Sequence, residues 1–528
     1  MVRSAAILLA LSTAVAGSGA EPLRTAIDNE VSATRQREKI NPANPATDAE
    51  FLRRIYLDLV GVIPTVEETV AFLKNQGASK RDTLIDALLA DPRFARHQAD
   101  IWDMVFFGRN PPGYETRNRD GFRTWLAGKF DKGIAYDVWA KELLKGEGTS
   151  EVNGAMYFAQ YRNAPEDAIE AVSQQFLGVQ LQCARCHDHP YEEWKQKEFY
   201  GMAAFLARLD VVTVANKGNR PIFAIGERNT GDIRFTGSVK DAKPGDKGEA
   251  VKPKFLHGAE LSEPVPAKDF KDPKFAEKQM PPKPKFSRKD ALADWIATAD
   301  NPYFARAVAN RLWSQYLGRG LVHPVDNMSA GNKPSHPALL DALAKELIAH
   351  RFDLKWLTRE LVSSKTYQIS GRGTGEPKPE WFQHARSRPL SAEELIESWQ
   401  VVTGFDRATD SKKPEVDRFR PLGSGYLLQF FGSPNTGTGD FQGGIHEHLY
   451  LNNGPLGTMI GVKGGLAEFV GDAKTPVGER VERLYLATLN RRPVEGELKK
   501  FTEYLKGGGS AADAVWVLMT CGEFRFNH

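Results

Sequence analysis

The residues with the clearest chemical potential are two cysteines and a histidine within residues 182–190. Cys183, Cys186 and His187 form a Cys-x-x-Cys-His pattern, the attachment motif of c-type haem. Thiols three residues apart lie on one side of a helical turn, where they can add across the two haem vinyl groups as thioethers. The adjacent imidazole of His187 can then bind the iron as proximal ligand. The pattern predicts haem c as a covalent cofactor held by these three residues.

The same cluster allows two other interpretations. Thiolate and imidazole are preferred zinc ligands, so Cys183, Cys186, His187 and His189 could instead form a zinc-type metal site. The two cysteines could also form a redox or structural disulfide, which would leave the cluster without a cofactor. No distal iron ligand is identifiable in the sequence. The candidates by proximity along the chain are Met202, Met156, Met104 and His97.

The first 20 residues predict export. Arg3 precedes an apolar stretch over residues 5–16, and small residues follow immediately before Glu21. This order is typical of a secretory signal peptide over residues 1–20. The apolar run is shorter than the roughly 20 residues of a transmembrane helix. We therefore expect a periplasmic or extracellular protein without a transmembrane segment. Haem thioethers are completed outside the cytoplasm, so the two expectations agree.

Composition excludes several functional classes. The chain has 528 residues and a formal net charge of +3, which is too small to suggest a nucleic-acid partner. Only three cysteines are present, so the protein is not a disulfide-rich scaffold. Hydrophobic residues make up 41% and charged residues 26%, as in ordinary globular proteins.

Helix start signals recur along the chain and predict a mainly α fold. Residues 47–50 and 65–68 fit capping boxes, and Asp91-Pro92 fits an N-cap followed by proline. Pro165 is expected to open a helix that runs on to the cysteine pair. Three short β-rich runs lie within residues 211–236 and suggest a hairpin or meander.

These signals predict two helical domains with a small β-rich insertion and a long irregular linker between them. The expected organisation is a signal peptide over 1–20, an N-terminal extension over 21–46, a first helical domain over 47–210, a β-rich insertion and linker over 211–286, and a second helical domain over 287–528.

Several motifs resemble a known family. Residues 51–65 and 176–190 resemble the first of two paired domains of unknown function in planctomycete cytochrome-associated exported proteins. Residues 301–313, 318–328, 334–337 and 523–528 are similar to the second domain. The resemblance implies an exported protein built from this domain pair, and it implies no settled activity. Many family members also carry a separate N-terminal cytochrome c domain, which we do not expect here.

The leading functional hypothesis is extracytoplasmic electron transfer through haem c, with a redox partner protein. One alternative is an exported binding or scaffold protein whose Cys/His cluster is a structural metal or disulfide site. A weaker alternative is an enzyme that acts on extracellular polymers. The sequence identifies no catalytic residue, because the spacing of His446-Glu447-His448 does not fit a zinc protease and no nucleophile elbow is present. It leaves the oligomeric state open.

Overall fold

The computed structural model of the protein describes most of the chain after the predicted signal peptide, which lies outside the described residues. The described ranges are 21–108, 119–151, 154–189, 192–218, 220–235, 248–264, 270–276, 278–373, 378–405, 445–454 and 456–528. Within them the fold is mainly α-helical with small two-stranded sheets, as the sequence predicts.

The helices of the first half are α1 (Leu23–Arg37), α2 (Asp48–Val60), α3 (Val66–Lys74), α4 (Lys80–Ala90), α5 (Pro92–Phe107), α6 (Asp120–Asp131), α7 (Tyr136–Lys145), α8 (Ala155–Ala159), α9 (Pro165–Val172) and α10 (Gln196–Ala203). Those of the second half are α11 (Arg288–Ile296), α12 (Phe304–Leu317), α13 (Pro337–Ala349), α14 (Leu354–Ser363), α15 (Ala392–Thr403), α16 (Ile445–Asn453), α17 (Leu456–Ile460), α18 (Leu466–Gly471), α19 (Val477–Thr488), α20 (Glu495–Lys506), α21 (Ala511–Thr520) and α22 (Gly522–Arg525).

The predicted helix starts are largely confirmed. The Thr47 hydroxyl accepts a hydrogen bond from the Glu50 backbone N–H, and the Glu50 carboxylate accepts one from the Thr47 backbone, which completes a capping box. Thr65 and Glu68 repeat this arrangement at the start of α3. Asp91 caps α5, with proline at its first position. Local side-chain chemistry is sufficient to begin these helices, whatever they pack against.

The β-rich region is a hairpin followed by a second, very short sheet. Strands β1 (Leu209–Lys217) and β2 (Arg220–Glu227) pair antiparallel, as expected. The third β-rich run does not extend this hairpin into a meander, because β3 (Arg234–Phe235) pairs instead with β4 (Glu249–Ala250). The hairpin contacts α8 rather than forming a layer of its own.

Two acidic residues attach the irregular linker to the helices. Glu263 pairs with Arg208 at 3.0 Å and also with Arg288 at the start of α11. Asp272 accepts hydrogen bonds from the backbone N–H groups of Asn229 and Thr230, at 2.7 and 2.9 Å. These parts of the linker are therefore anchored, and the charges of Glu263 and Asp272 have specific partners.

The described residues form two hydrophobic cores whose division does not follow the linker. The larger core contains buried residues between 23 and 382, so α1–α10 share it with α11–α14. The smaller core is formed by residues 390–524, together with Leu57 of α2 and Ile63 just after it. Helix α2 therefore supplies residues to both cores.

Helix α1 packs on the second half of the chain, against α13 and α14. The Arg24 guanidinium pairs with Glu360 at 3.0 Å, and the Asp28 carboxylate accepts from the Thr366 backbone N–H at 2.8 Å. Arg35 donates to the carbonyls of Trp381 and Phe382. The segment expected to be an N-terminal extension is thus an integral part of the larger core. No helix in the described part of the chain is long and apolar enough to cross a membrane.

A network of buried charges joins α2 to the last strand of the chain. Strands β5 (Arg388–Pro389) and β6 (Phe526–Asn527) pair antiparallel beside α2. Asp58 accepts from Arg388 at 3.0 Å, from the Tyr367 hydroxyl at 2.8 Å and from the Asn527 side-chain amide at 2.7 Å. We call the residues Arg53, Arg54, Asp58, Tyr367, Arg388, Glu394 and Asn527 the seam.

The two arginines of the seam reach carbonyl groups far along the chain. Arg53 donates to the carbonyls of Thr488 and Phe524, at 3.1 and 2.7 Å. Arg54 donates to the carbonyls of Tyr367 and Ile369, at 2.8 and 2.9 Å. Each of these hydrogen bonds satisfies a buried backbone group, so the seam fixes how the two halves meet.

Candidate functional site

The Cys-x-x-Cys-His segment lies in a loop between α9 and α10. Helix α9 continues as one π-helical turn, Ser173–Leu177, and ends there because Gly178 adopts a left-handed conformation with φ +68°. The expectation that this helix continues to the cysteine pair is therefore wrong. Cys183 lies on a separate 3₁₀ turn, Gln182–Arg185, and Cys186 directly follows it.

Gly178 is required by both its conformation and its surroundings. A Cβ atom at this position would lie 3.3 Å from the Ala307 Cβ on α12 and 3.3 Å from the Met328 sulfur. Left-handed backbone disfavours any residue with a side chain, and this contact adds a steric cost. The close approach brings the start of the motif loop against the second half of the chain.

Both cysteines of the motif are exposed free thiols. Ala184, which lies between them in the sequence, is fully buried and anchors the turn to the larger core. Both sulfur atoms are therefore accessible from solvent while the backbone that carries them is anchored. The structure contains no Cys183–Cys186 disulfide.

The His187 imidazole is exposed, and its contact with the neighbouring residue selects its neutral tautomer. Its Nδ1 lies 2.7 Å from the backbone carbonyl oxygen of Asp188. A carbonyl oxygen can only accept, so this contact places the ring proton on Nδ1 in the neutral imidazole. The Nε2 lone pair is then available for an external ligand. A backbone carbonyl on the second ring nitrogen is the usual support for a metal-binding histidine.

His189 is oriented differently from His187. The His189 Nδ1 accepts a hydrogen bond from the Glu192 backbone N–H at 3.0 Å, and the His189 backbone N–H donates to the Trp194 carbonyl at 2.8 Å. These contacts hold His189 against Glu192 and Trp194 of its own loop. Among the described residues, no group of three or more His, Cys, Asp or Glu side chains is arranged to hold a metal ion.

Ion pairs and hydrogen bonds anchor the loop to its flanking helices. Arg185 pairs with Asp167 at 2.6 Å and with Glu170 at 3.4 Å, both on α9. Gln196, the first residue of α10, donates its side-chain amide to the Arg185 carbonyl and its backbone N–H to the Asp188 carboxylate. The acidic face of α9 and the start of α10 therefore determine the position of the motif.

The second half of the chain holds the loop at both of its ends. The Met328 backbone N–H donates to the Gly178 carbonyl at 2.7 Å, and the Gln180 side-chain amide donates to Asp326 at 3.1 Å. Beyond the motif, the Gly331 N–H lies 3.4 Å from a Glu192 carboxylate oxygen. Sequence reasoning missed this clamp, because nothing in the sequence connects residues about 140 positions apart.

The four candidates for a distal iron ligand are all buried, unlike His187. Met202 is fully buried, and Met156, Met104 and His97 are exposed by 7% or less. The His97 ring packs on Gly61, where a Cβ would lie 2.3 Å from Nδ1, and its burial lowers its pKa to about 4. None of the four lies at the surface as the motif does.

Two clefts lie away from the motif. One of about 250 Å³ is lined mainly by apolar residues, including Phe158, Pro165 and Leu206. Its α9 residues are Pro165 and Ala168, and no residue of the motif lines it. The other, of about 390 Å³, is polar and lies near Glu50 and Arg372.

Comparison with known proteins identifies two domains whose function is unknown. Residues 26–211 match the family model PSCyt2, described as a protein of unknown function (DUF1549). Residues 288–438 match PSD1, described as a protein of unknown function (DUF1553). The first match contains the Cys-x-x-Cys-His motif, and the second contains the loop that clamps it. No curated protein and no solved structure matches the chain.

Proposed function

We propose that this protein is an exported electron-transfer protein that carries haem c at Cys183, Cys186 and His187. The observation that carries the proposal is that two free, exposed thiols precede an exposed histidine whose Nδ1 faces a backbone carbonyl. The proposal also draws support from the signal-peptide pattern in the sequence and from the resemblance to planctomycete cytochrome-associated proteins.

The donor set fits haem attachment. The two cysteines would hold the porphyrin by thioether bonds, and the His187 Nε2 would bind the iron. A bound haem supplies one-electron redox chemistry. The chain itself supplies the anchored loop: Ala184 and the Arg185 ion pairs fix the thiols, and Asp188 orients the imidazole.

The exposed position of the motif favours haem attachment over a structural zinc site. Structural zinc sites enclose the metal in four ligands, whereas here the thiols and His187 face solvent and His189 turns into its own loop. An electron-transfer centre, in contrast, needs a cofactor edge that a partner protein can approach. The exposed position of Cys183, Cys186 and His187 would leave an edge of a bound haem accessible to a partner.

The test is production of the full chain, with its own N-terminus, in a host that matures c-type cytochromes. We expect haem that remains bound after denaturation, with a pyridine haemochrome spectrum of two thioether bonds. A Cys183→Ala/Cys186→Ala variant should lose covalent haem, and Cys521→Ser should retain it as the matched control. A wild-type protein that matures without covalent haem would contradict the proposal.

The scaffold alternative is favoured by one observation, the extensive contact between the two matched regions. The Arg388 guanidinium donates to Asp58 at 3.0 Å and the Gln180 side-chain amide donates to Asp326 at 3.1 Å, so specific polar contacts join the two matched regions and would hold a binding surface in place. If the maturation experiment yields folded, haem-free protein in which both thiols are protected from thiol reagents, the scaffold role with a structural metal or disulfide becomes the leading hypothesis.

A further inference from the structure

A small polar cavity lies at the seam. The volume that a water-sized sphere can occupy there is about 20 Å³. Its walls include Arg54 and Asp58 of α2, His384, Arg388 and Asn527, so residues from widely separated parts of the chain meet around it. A bound water needs roughly 10–15 Å³ of such space, so the cavity has room for one water.

Three polar atoms of residues that line this cavity are buried without a hydrogen-bond partner in the protein. They are the Nη2 of Arg54, the Oδ1 of Asn527 and the Nε2 of His384. The first two belong to side chains at least 95% buried, with residue exposures of 4% and 3%. Leaving such groups unpaired costs roughly 1–3 kcal/mol each, so the arrangement calls for a partner.

The identities of these atoms determine the chemistry of that partner. The Asn527 Nδ2 donates to Asp58 at 2.7 Å, which fixes the amide orientation and leaves Oδ1 as a pure acceptor. Arg54 Nη2 can only donate. The partner must therefore donate to Asn527 and accept from Arg54.

This requirement excludes simple ions. An anion would accept from Arg54 but would face the lone pairs of Asn527 Oδ1. A metal cation would find an acceptor in Asn527 but would face the Arg54 guanidinium. A neutral molecule of the size of water meets both conditions, and its remaining hydrogen-bond capacity suits His384 Nε2 in either tautomer.

We propose that this cavity binds one internal water molecule that bridges Arg54 Nη2, Asn527 Oδ1 and His384 Nε2. Three hydrogen bonds are the usual number for a buried water. The water completes the hydrogen bonding of α2 to the C-terminal strand and to the segment that follows α14. It is a structural component of the seam and is independent of any haem at the motif.

The test is a crystal structure of the wild-type full chain at about 1.5 Å resolution or better, with a parallel soak in bromide. We expect one well-ordered solvent peak within hydrogen-bond distance of Arg54 Nη2 and Asn527 Oδ1, without anomalous bromide signal. Three results would overturn the proposal: an empty cavity, bromide at this position, or rotation of Arg54 onto a protein carbonyl. The haem experiment has no bearing on these outcomes, so the two proposals can fail separately.

Discussion

The seam and the Cys-x-x-Cys-His loop use their polar residues in opposite ways. In the seam, guanidinium and carboxylate groups are buried and donate or accept within the protein, as Arg53 and Asp58 do. In the loop, the backbone is anchored while Cys183, Cys186 and His187 remain exposed. This difference indicates that the seam mainly provides stability and that the loop mainly provides reactive groups. Changes in the seam should alter the free energy of unfolding, and changes in the loop should alter chemistry.

The largest expected effect is in the seam. Asp58→Ala would leave Arg388, the Tyr367 hydroxyl and the Asn527 amide without their shared acceptor. Arg388 keeps Glu394 as an ion-pair partner at 2.7 Å, so the main loss comes from the Tyr367 and Asn527 donors left unpaired. We expect about 1–3 kcal/mol for each of them in the free energy of unfolding measured with denaturant. The control is Asp86→Ala, which removes an ion pair to Arg359 from an aspartate side chain that is 54% exposed. We expect at most about 1 kcal/mol there. Equal losses of unfolding free energy at both sites would show that the seam stabilises the protein no more than an exposed ion pair does.

The clamp on the motif loop can be broken at Gly178. Gly178→Ala would force a side chain onto left-handed backbone and against Ala307 and Met328. The backbone cost is about 1–2 kcal/mol, and the contact should add a similar amount. Gly133→Ala is the matched control, since its φ is +61° and its Cβ would meet nothing within 4 Å. The difference between the melting temperatures of the two variants measures the cost of the contact with Ala307 and Met328. Equal decreases in melting temperature would mean that this contact contributes nothing to stability.

The largely buried carboxyl of Asp100 on α5 should make stability depend on pH. Burial raises the pKa of Asp100 to about 7, although Arg123 opposes the shift, and Glu393 and Asp103 add to it. The folded state therefore holds a proton that the unfolded chain releases near pH 4, and stability falls as the pH rises from about 4 to 7.

We expect Asp100→Asn to raise the free energy of unfolding by roughly 1–2 kcal/mol at pH 8 and to change it little at pH 4. Denaturant titrations at the two pH values measure this difference. His97 titrates in the opposite direction, because its lowered pKa costs stability as the pH falls from 6.5 to about 4. A gain of equal size at both pH values would contradict the assignment to Asp100.

The smallest expected effect on stability is at the motif cysteines. Cys183→Ser should change the free energy of unfolding by less than about 0.5 kcal/mol, because the side chain is exposed. Thiol titration of the haem-free native protein should show two fast-reacting groups in the wild type and one in the variant. Cys521 should react slowly, since burial raises the pKa of its thiol. Three equally fast thiols would contradict this division.

Local features of the fold could be predicted from sequence because local chemistry determines them. The capping boxes at Thr47 and Thr65, the proline start of α9 and the β1–β2 hairpin all follow from residues within a few positions of each other. The motif was also evident, since its spacing is its signature. Its exposure was not, because that depends on which side of the turn faces α9 and α10.

Long-range features could not be predicted for the same physical reason. The hydrogen bond from Gln180 to Asp326 spans 146 residues, and that from Arg53 to the Phe524 carbonyl spans 471. The capping box at residues 47–50 predicted where α2 begins, but it assigned no role to the two arginines of this helix. The helix predicted to reach the cysteines failed at Gly178, where contact with the second half of the chain selects a left-handed residue over continued helix.

The seam also has a consequence for the order of folding. Helix α2 lies within the first 60 residues, yet three of its polar side chains find partners among the last five residues, 524–528. Closing a loop of that length carries a large entropic cost before any contact compensates for it. The complete seam can therefore form only after residues 524–528 have been synthesised. Until then Arg53, Arg54 and Asp58 have only their partners among residues 367–490.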